Sequence, residues 1–107
     1  MIALLLLLAQ TPPPAPLVPV DDPKTLFDQK CKFCHGEDGK GQTKKGKLVK
    51  AADFTGPRWQ KLTTDDEIRK AITNGVPKTK MKAFKDKLTP EQIEALVKYV
   101  RAFGKSK

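Results

Sequence analysis

Cys31, Lys32, Phe33, Cys34 and His35 place two thiols and an imidazole within five residues, and they use both cysteines and the only histidine of the chain. Thiols three positions apart stand about one helical turn from each other, so each can add to one vinyl group of a haem lying against the end of a helix. The adjoining imidazole then faces the iron from the same side. This C-x-x-C-H spacing is the attachment pattern of c-type haem. Three other chemistries use part of the pattern. A thiol–disulfide redox pair places C-x-x-C at the start of a helix in a strand-rich fold, whereas here a helical pattern precedes the cysteines. Zinc needs four ligands and would have to borrow a carboxylate or a partner chain. A plain disulfide accounts for the thiols and leaves His35 without a role.

A haem iron held by His35 needs a ligand on its other face. Met81 is the only methionine besides Met1 and stands 46 residues after His35. It closes the stretch Gly75, Val76, Pro77, Lys78, Thr79, Lys80, Met81, whose helix breakers predict a loop able to return a side chain over the iron. Core filling is the ordinary use of a lone methionine. Flanking Lys80 and Lys82 make a polar surface out of this one and favour ligation.

The elements that must position these groups read as helices. Asp22 before Pro23 is an N-cap followed by proline at the first helical position, and Leu26, Phe27 and Lys30 lead at helical spacing to the cysteines, predicting a helix over residues 23–34. Residues 36–56 carry Gly36, Gly39, Gly41 and Gly46 among lysines and predict a long loop, which needs something to wrap around. Thr64 with Glu67 forms a capping-box pattern ahead of Ile68, Ala71 and Ile72, and Asn74 and Gly75 end that helix. Thr89, Pro90 and Gln92 repeat the start signal, and Ile93, Leu96, Val97, Val100 and Phe103 follow at spacings of three and four before Gly104. No segment alternates as a strand. The expected fold class is therefore all-α.

On these residues the chain resembles the class I cytochrome c family over about residues 23–104. The matching positions are Phe27, the run from Cys31 to Gly36, Gly39 and Gly41, Ala52, Asp53 and Phe54, then Pro77, Lys78, Thr79, Lys80 and Met81, and finally Leu96, Tyr99 and Val100. The resemblance is strongest to small bacterial monohaem members. It implies a small cytochrome c fold in which three main helices wrap one covalently bound haem c and the N- and C-terminal helices cross, with Phe27 meeting Leu96 or Tyr99 there. It also makes Trp59 and Thr79 candidates to hydrogen-bond a haem propionate, although Trp59 is equally suited to anchoring a loop. Three positions depart from the family pattern. Pro23 stands where a glycine is common and predicts a late first helix and a looser or shifted crossing. Lys82 follows Met81 in place of proline, and Ala51 replaces a proline before the Ala-Asp-Phe element. The resemblance further implies a backbone carbonyl that accepts from the second His35 nitrogen, with Ala51 and the Pro57 region as the candidates.

Length and charge bound the function. A chain of 107 residues with 38% hydrophobic residues holds one small domain, and domains of this size often lean on a disulfide, metal or cofactor for stability. Residues 1–20 carry no charge. Residues 2–9 form an unbroken apolar run about 12 Å long as a helix, against roughly 30 Å for a bilayer core. Residues 1–9 therefore read as a signal-peptide-like segment, with Ala9 as the small residue before a cut. Residues 10–20 hold five of the nine prolines and read as an extended linker. The cytochrome c domain is expected over residues 21–107. Export implies a periplasmic protein, free or tethered to the membrane through an uncleaved N-terminus.

The formal charge is +9, which two ionised propionates would reduce to about +7. Lys44, Lys45, Lys47 and Lys50 form one basic run, and Lys78, Lys80, Lys82, Lys85 and Lys87 surround the Met81 loop with only Asp86 opposing them. A basic rim steers a protein onto acidic partners, and it also serves solubility alone. No nucleic-acid-binding motif accompanies the charge, so nucleic acid is not an expected partner. With His35 on one face and Met81 on the other, the iron has no open position for a substrate. The expected function is one-electron transfer between redox proteins by a monomer, not catalysis. A haem enzyme or gas sensor would need Met81 off the iron and a distal acid–base group, and the sole histidine is already used.

Overall fold

In the computed structural model, which describes residues 22–105, every regular element is helical. The signal-like segment and the proline-rich linker lie outside the described residues. α1 spans Pro23–Lys30, and Asp22 caps it by accepting from the Lys24 amide at 3.2 Å and the Thr25 hydroxyl at 2.6 Å. The helix expected over residues 23–34 is broken at Cys31, where φ −121° and ψ −30° leave the helical well. A second short helix, α2, runs Lys32–His35. The break re-aims the second turn so that it packs on α3, Lys44–Val49, a helix inside the stretch expected to be a long loop.

Local chemistry explains α3. The Thr43 hydroxyl accepts from the Gly46 amide at 2.8 Å and donates to the carbonyls of Phe33 and Cys34 at 2.8 and 3.0 Å, so one side chain starts α3 and fastens it to α2. Gly46 is there because a Cβ would fall onto the Cys34 carbonyl oxygen and lie 2.6 Å from that of Gly41. The helix ends on Lys50 in the left-handed region, after which the Ala51 amide donates back to the Gly46 carbonyl at 2.9 Å. Proline has no amide hydrogen, so alanine at position 51 supplies a cap that the more usual proline could not.

α4, Pro57–Leu62, begins with proline at its first position and contains Trp59. α5, Asp65–Asn74, and α6, Pro90–Ala102, match the expected helices, and each starts with a complete capping box, Thr64/Glu67 and Thr89/Gln92. A 3₁₀ turn over Phe103–Lys105 follows α6. Three main helices are thus joined by three short ones among the described residues.

The apolar stripes meet as their spacing requires. α1 brings Leu26 and Phe27, α5 brings Ile68 and Ile72, and α6 brings Ile93, Leu96, Val97 and Val100 to one core with Phe54 and Leu88. Both α1 and α5 pack on α6. Phe27 is 0% and Leu96 1% exposed, and the Phe27 ring lies 5.0 Å from that of Tyr99, so the α1/α6 crossing is closed around Phe27. Each such side chain contributes roughly 1.5–3 kcal/mol by leaving water.

Candidate haem site

The two thiols and the imidazole follow α1 on the break at Cys31 and on α2. Cys31 and Cys34 are free and half-buried. Burial, with the neighbouring Cys34 adding to it, pushes the Cys31 thiol up to about 12. At neutral pH this leaves it a thiol, unlike the thiolate in electropositive surroundings that attacks in disulfide exchange. Among the described residues no group of three or more His, Cys, Asp and Glu side chains is arranged to hold a metal ion, so the ligand set of a zinc site is not assembled.

The His35 ring is held on two sides. Its Nδ1 lies 3.2 Å from the carbonyl oxygen of Ala52, and its face stacks on Phe54 with centroids 4.3 Å apart and 21° between planes. A carbonyl can only accept, so Nδ1 carries the hydrogen and Nε2 keeps its lone pair free for a metal. Burial holds the imidazole below the ordinary histidine range, which the Ala52 bond partly opposes. The acceptor is thus Ala52, neither Ala51 nor the Pro57 region. The loop that delivers it is pinned where Phe54 donates to the Gly39 carbonyl at 2.7 Å and Gly41 donates to that of His35 at 2.8 Å. Gly41, at φ +69°, admits this approach, since a Cβ there would sit 2.6 Å from the Ala51 oxygen.

Met81 is half-buried and packs against the core cluster. Its loop folds back on the end of α5, with the Val76 amide donating to the Met81 carbonyl at 3.2 Å. Gly75, at φ +73°, lies beneath it, where a Cβ would come within 2.8 Å of the Met81 oxygen. The Thr79 hydroxyl donates to the Val76 carbonyl at 2.7 Å and accepts from the Met81 amide at 3.1 Å, so it shapes the loop. Lys78 occupies the left-handed region in the same turn at φ 66°. Trp59 is half-buried with its ring 5.1 Å from that of Phe54.

Two free thiols beside an imidazole with its outer nitrogen available fit the attachment of a covalent haem. The comparisons agree. Residues 18–100 match the family model for cytochrome c oxidase, cbb3-type, subunit III. The chain belongs to this family. Among solved structures it is similar to the KustC0563 c-type cytochrome, at 44% identity and TM-score 0.71 over 77% of this chain and 96% of that one. A point mutant of the same protein gives 45% identity and TM-score 0.70, with 77% and 98% covered. A third structure, the dihydro-haem d1 dehydrogenase NirN in complex with DHE, is 25% identical at TM-score 0.61, and 74% of this chain corresponds to 15% of that one. No curated protein matches the chain. The protein is a class I monohaem c-type cytochrome and carries covalently bound haem c.

Residues that sequence reasoning passed over support this cytochrome's site. Phe54 was matched only as a family position, yet its ring backs the His35 imidazole. Gln60 was not singled out, and its side-chain amide donates to the carbonyls of Phe54 at 2.7 Å and Val100 at 3.0 Å. A glutamine in a half-buried helix carries no local signal for such a link. Eight of the nine lysines in the two basic runs are exposed, Lys45 being half-buried, and none takes part in an ion pair among the described residues. The acidic start of α5 is partly engaged elsewhere, Asp65 with Arg101 at 2.6 Å and Asp66 with Arg69. No helix among the described residues is long and apolar enough to cross a membrane.

Proposed function

We propose that this cytochrome is a monomeric, exported one-electron carrier, periplasmic or tethered there by its N-terminus. In this reading Cys31 and Cys34 would hold the haem through two thioethers, and His35 Nε2 and Met81 Sδ would bind its iron. A haem held there would supply one-electron redox chemistry. The single observation that carries the reading is the His35 ring, neutral and oriented by the Ala52 carbonyl with Nε2 left to bind.

The protein's own groups do the rest. Ala52 fixes the imidazole plane and tunes its basicity, and Phe54 keeps water from its face. Gly75 and Thr79 hold the loop that presents Met81, so the ligand geometry is built before the electron arrives. A thioether ligand in an apolar crevice favours the ferrous state and raises the potential. Trp59 offers its indole N–H to a propionate, and Thr79 would do so only by giving up Val76. With His35 and Met81 both committed to the iron, no position would remain for a substrate, and the reading is therefore a carrier in preference to an enzyme. The exposed lysines of α3 and of the Met81 loop form a docking rim for the acidic surfaces of redox partners.

Met81→Ala tests the assignment. The variant should keep its haem, since both cysteines remain, bind carbon monoxide when reduced and show a lowered potential. An unchanged potential and spin state would remove Met81 from the iron.

A further inference from the structure

The stretch that orients His35 is itself held by one side chain from outside it. Apart from His35, Gln60 is the only side chain beyond residues 51–55 that hydrogen-bonds this stretch among the described residues. Both hydrogens of its amide are committed, one to the Phe54 carbonyl at 2.7 Å and one to the Val100 carbonyl of α6 at 3.0 Å. Its oxygen accepts from Arg101 Nη1 at 2.9 Å.

A guanidinium only donates, so it dictates which end of the Gln60 amide faces it and leaves the NH₂ end turned to the two carbonyls. Arg101 is anchored in turn. Nη1 also donates to the Gln60 carbonyl at 2.7 Å, Nη2 to that of Thr63, and Nε to Asp65 Oδ1 at 2.6 Å. Gly104 lies against the glutamine, where a Cβ would come 2.7 Å from Gln60 Cγ and crowd it out of place. A rigid path therefore runs from α6 through Arg101 and Gln60 to Phe54, whose ring stacks on His35 and whose neighbour Ala52 accepts from His35 Nδ1.

We propose that Gln60, held in one orientation by Arg101, is a positioning residue for His35 that keeps the Ala52 carbonyl in hydrogen-bond register and thereby sets the reduction potential. The proposal rests on the reading of His35 as an iron ligand. A hydrogen bond from Nδ1 to a carbonyl makes the imidazole a stronger donor and favours the ferric state. Without Gln60, the Phe54 carbonyl loses its partner, the stretch relaxes and the Nδ1 bond lengthens. The balance then moves toward ferrous iron.

The test uses the haem-loaded full chain and compares parent, Gln60→Met, the milder Arg101→Lys, and Ile72→Val, a core change in α5 that lowers stability without touching this path. Three measurements are made on each: the reduction potential, the hyperfine-shifted His35 ring resonances with the solvent exchange of the Nδ1 proton, and the thermal midpoint. Gln60→Met should lower the ferric-to-ferrous ratio at a fixed ambient potential about threefold, roughly 28 mV at 59 mV per tenfold. It should also speed Nδ1 proton exchange. Arg101→Lys should move both in the same direction by less, and Ile72→Val should lose stability with the potential unchanged. A potential and exchange rate at the parent value in both path variants, with only the midpoint lowered, would overturn the proposal. If Gln60→Met fails to mature, Arg101→Lys decides alone. Absence of hyperfine shift on the His35 ring in the parent would remove the ligand reading first and the proposal with it.

Discussion

Phe27→Ala probes how tightly the site's scaffold is closed. Phe27 has no exposed surface, and its ring lies 5.0 Å from Tyr99, 5.3 Å from Phe103 and 6.4 Å from Phe54. Truncating such a phenylalanine costs about 3–5 kcal/mol, because the transfer energy of the ring is lost and a cavity remains. A small domain is worth about 5–15 kcal/mol in all, so this one ring carries a large share. At about 4 kcal/mol the thermal midpoint should fall roughly 15–30 °C, using 4–8 °C per kcal/mol for a domain of this size. Guanidinium titration of the haem-loaded protein, followed by Trp59 fluorescence, reads the loss. Phe27→Leu retains most of the volume and should lose less than half as much. Its coupling with Tyr99→Leu should be about 0.5–1.5 kcal/mol, the usual worth of an aromatic pair beyond its buried area. A loss below about 1 kcal/mol for Phe27→Ala would refute the reasoning, since it would mean that the α1/α6 crossing is not packed around this ring.

Acid should destabilise the haem-free chain, in which no iron holds His35 Nε2, in two stages. His35 is held below its ordinary value by burial, so the unfolded chain binds its proton first, and stability is lost as the pH falls below about 6.5 toward the folded value. The carboxylates held low, Glu94 by Arg69 and Asp22 by Thr25, add their loss only below about pH 4.5. Guanidinium titrations between pH 7.5 and 5 that show a flat profile would contradict the first stage. Gly75→Ala forces a Cβ into a backbone at φ +73° and to within 2.8 Å of the Met81 oxygen. It should cost at least about 1–2 kcal/mol and let the reduced protein bind carbon monoxide in part, whereas an inert iron would detach Gly75 from the Met81 loop. With ferricyanide as an anionic oxidant, the second-order rate should fall as ionic strength rises. A salt-independent rate would count against the lysine rim.

The long helices were legible because their signals are local. The Thr64/Glu67 and Thr89/Gln92 boxes and the stripes behind them mark α5 and α6 to within a residue. The short helices were hidden for physical reasons. α3 contains Gly46, a poor helix former retained for its fit under the Cys34 carbonyl, and a glycine among lysines reads as loop. α4 did announce itself through Gly56 and Pro57, proline at the first helical position, but the helix is only six residues long. The break at Cys31 depends on how α2 folds onto α3, which no spacing within residues 23–34 records. The same division holds at the site. The C-x-x-C-H run is local and legible, whereas Ala52 and Phe54, which hold the His35 ring, reach it from 17 or more positions away, and Gln60 reaches Phe54 from α4.

Absorption spectra of the protein matured in a periplasm with haem-attachment machinery, oxidised, reduced, and reduced under carbon monoxide, test the central claim most directly. A c-type reduced band, a weak sulfur-to-iron band in the oxidised form and no response to carbon monoxide are predicted for an iron closed by His35 and Met81. A strong carbon monoxide shift would contradict closure of the site, and a protein without haem would return Cys31 and Cys34 to thiol or metal chemistry.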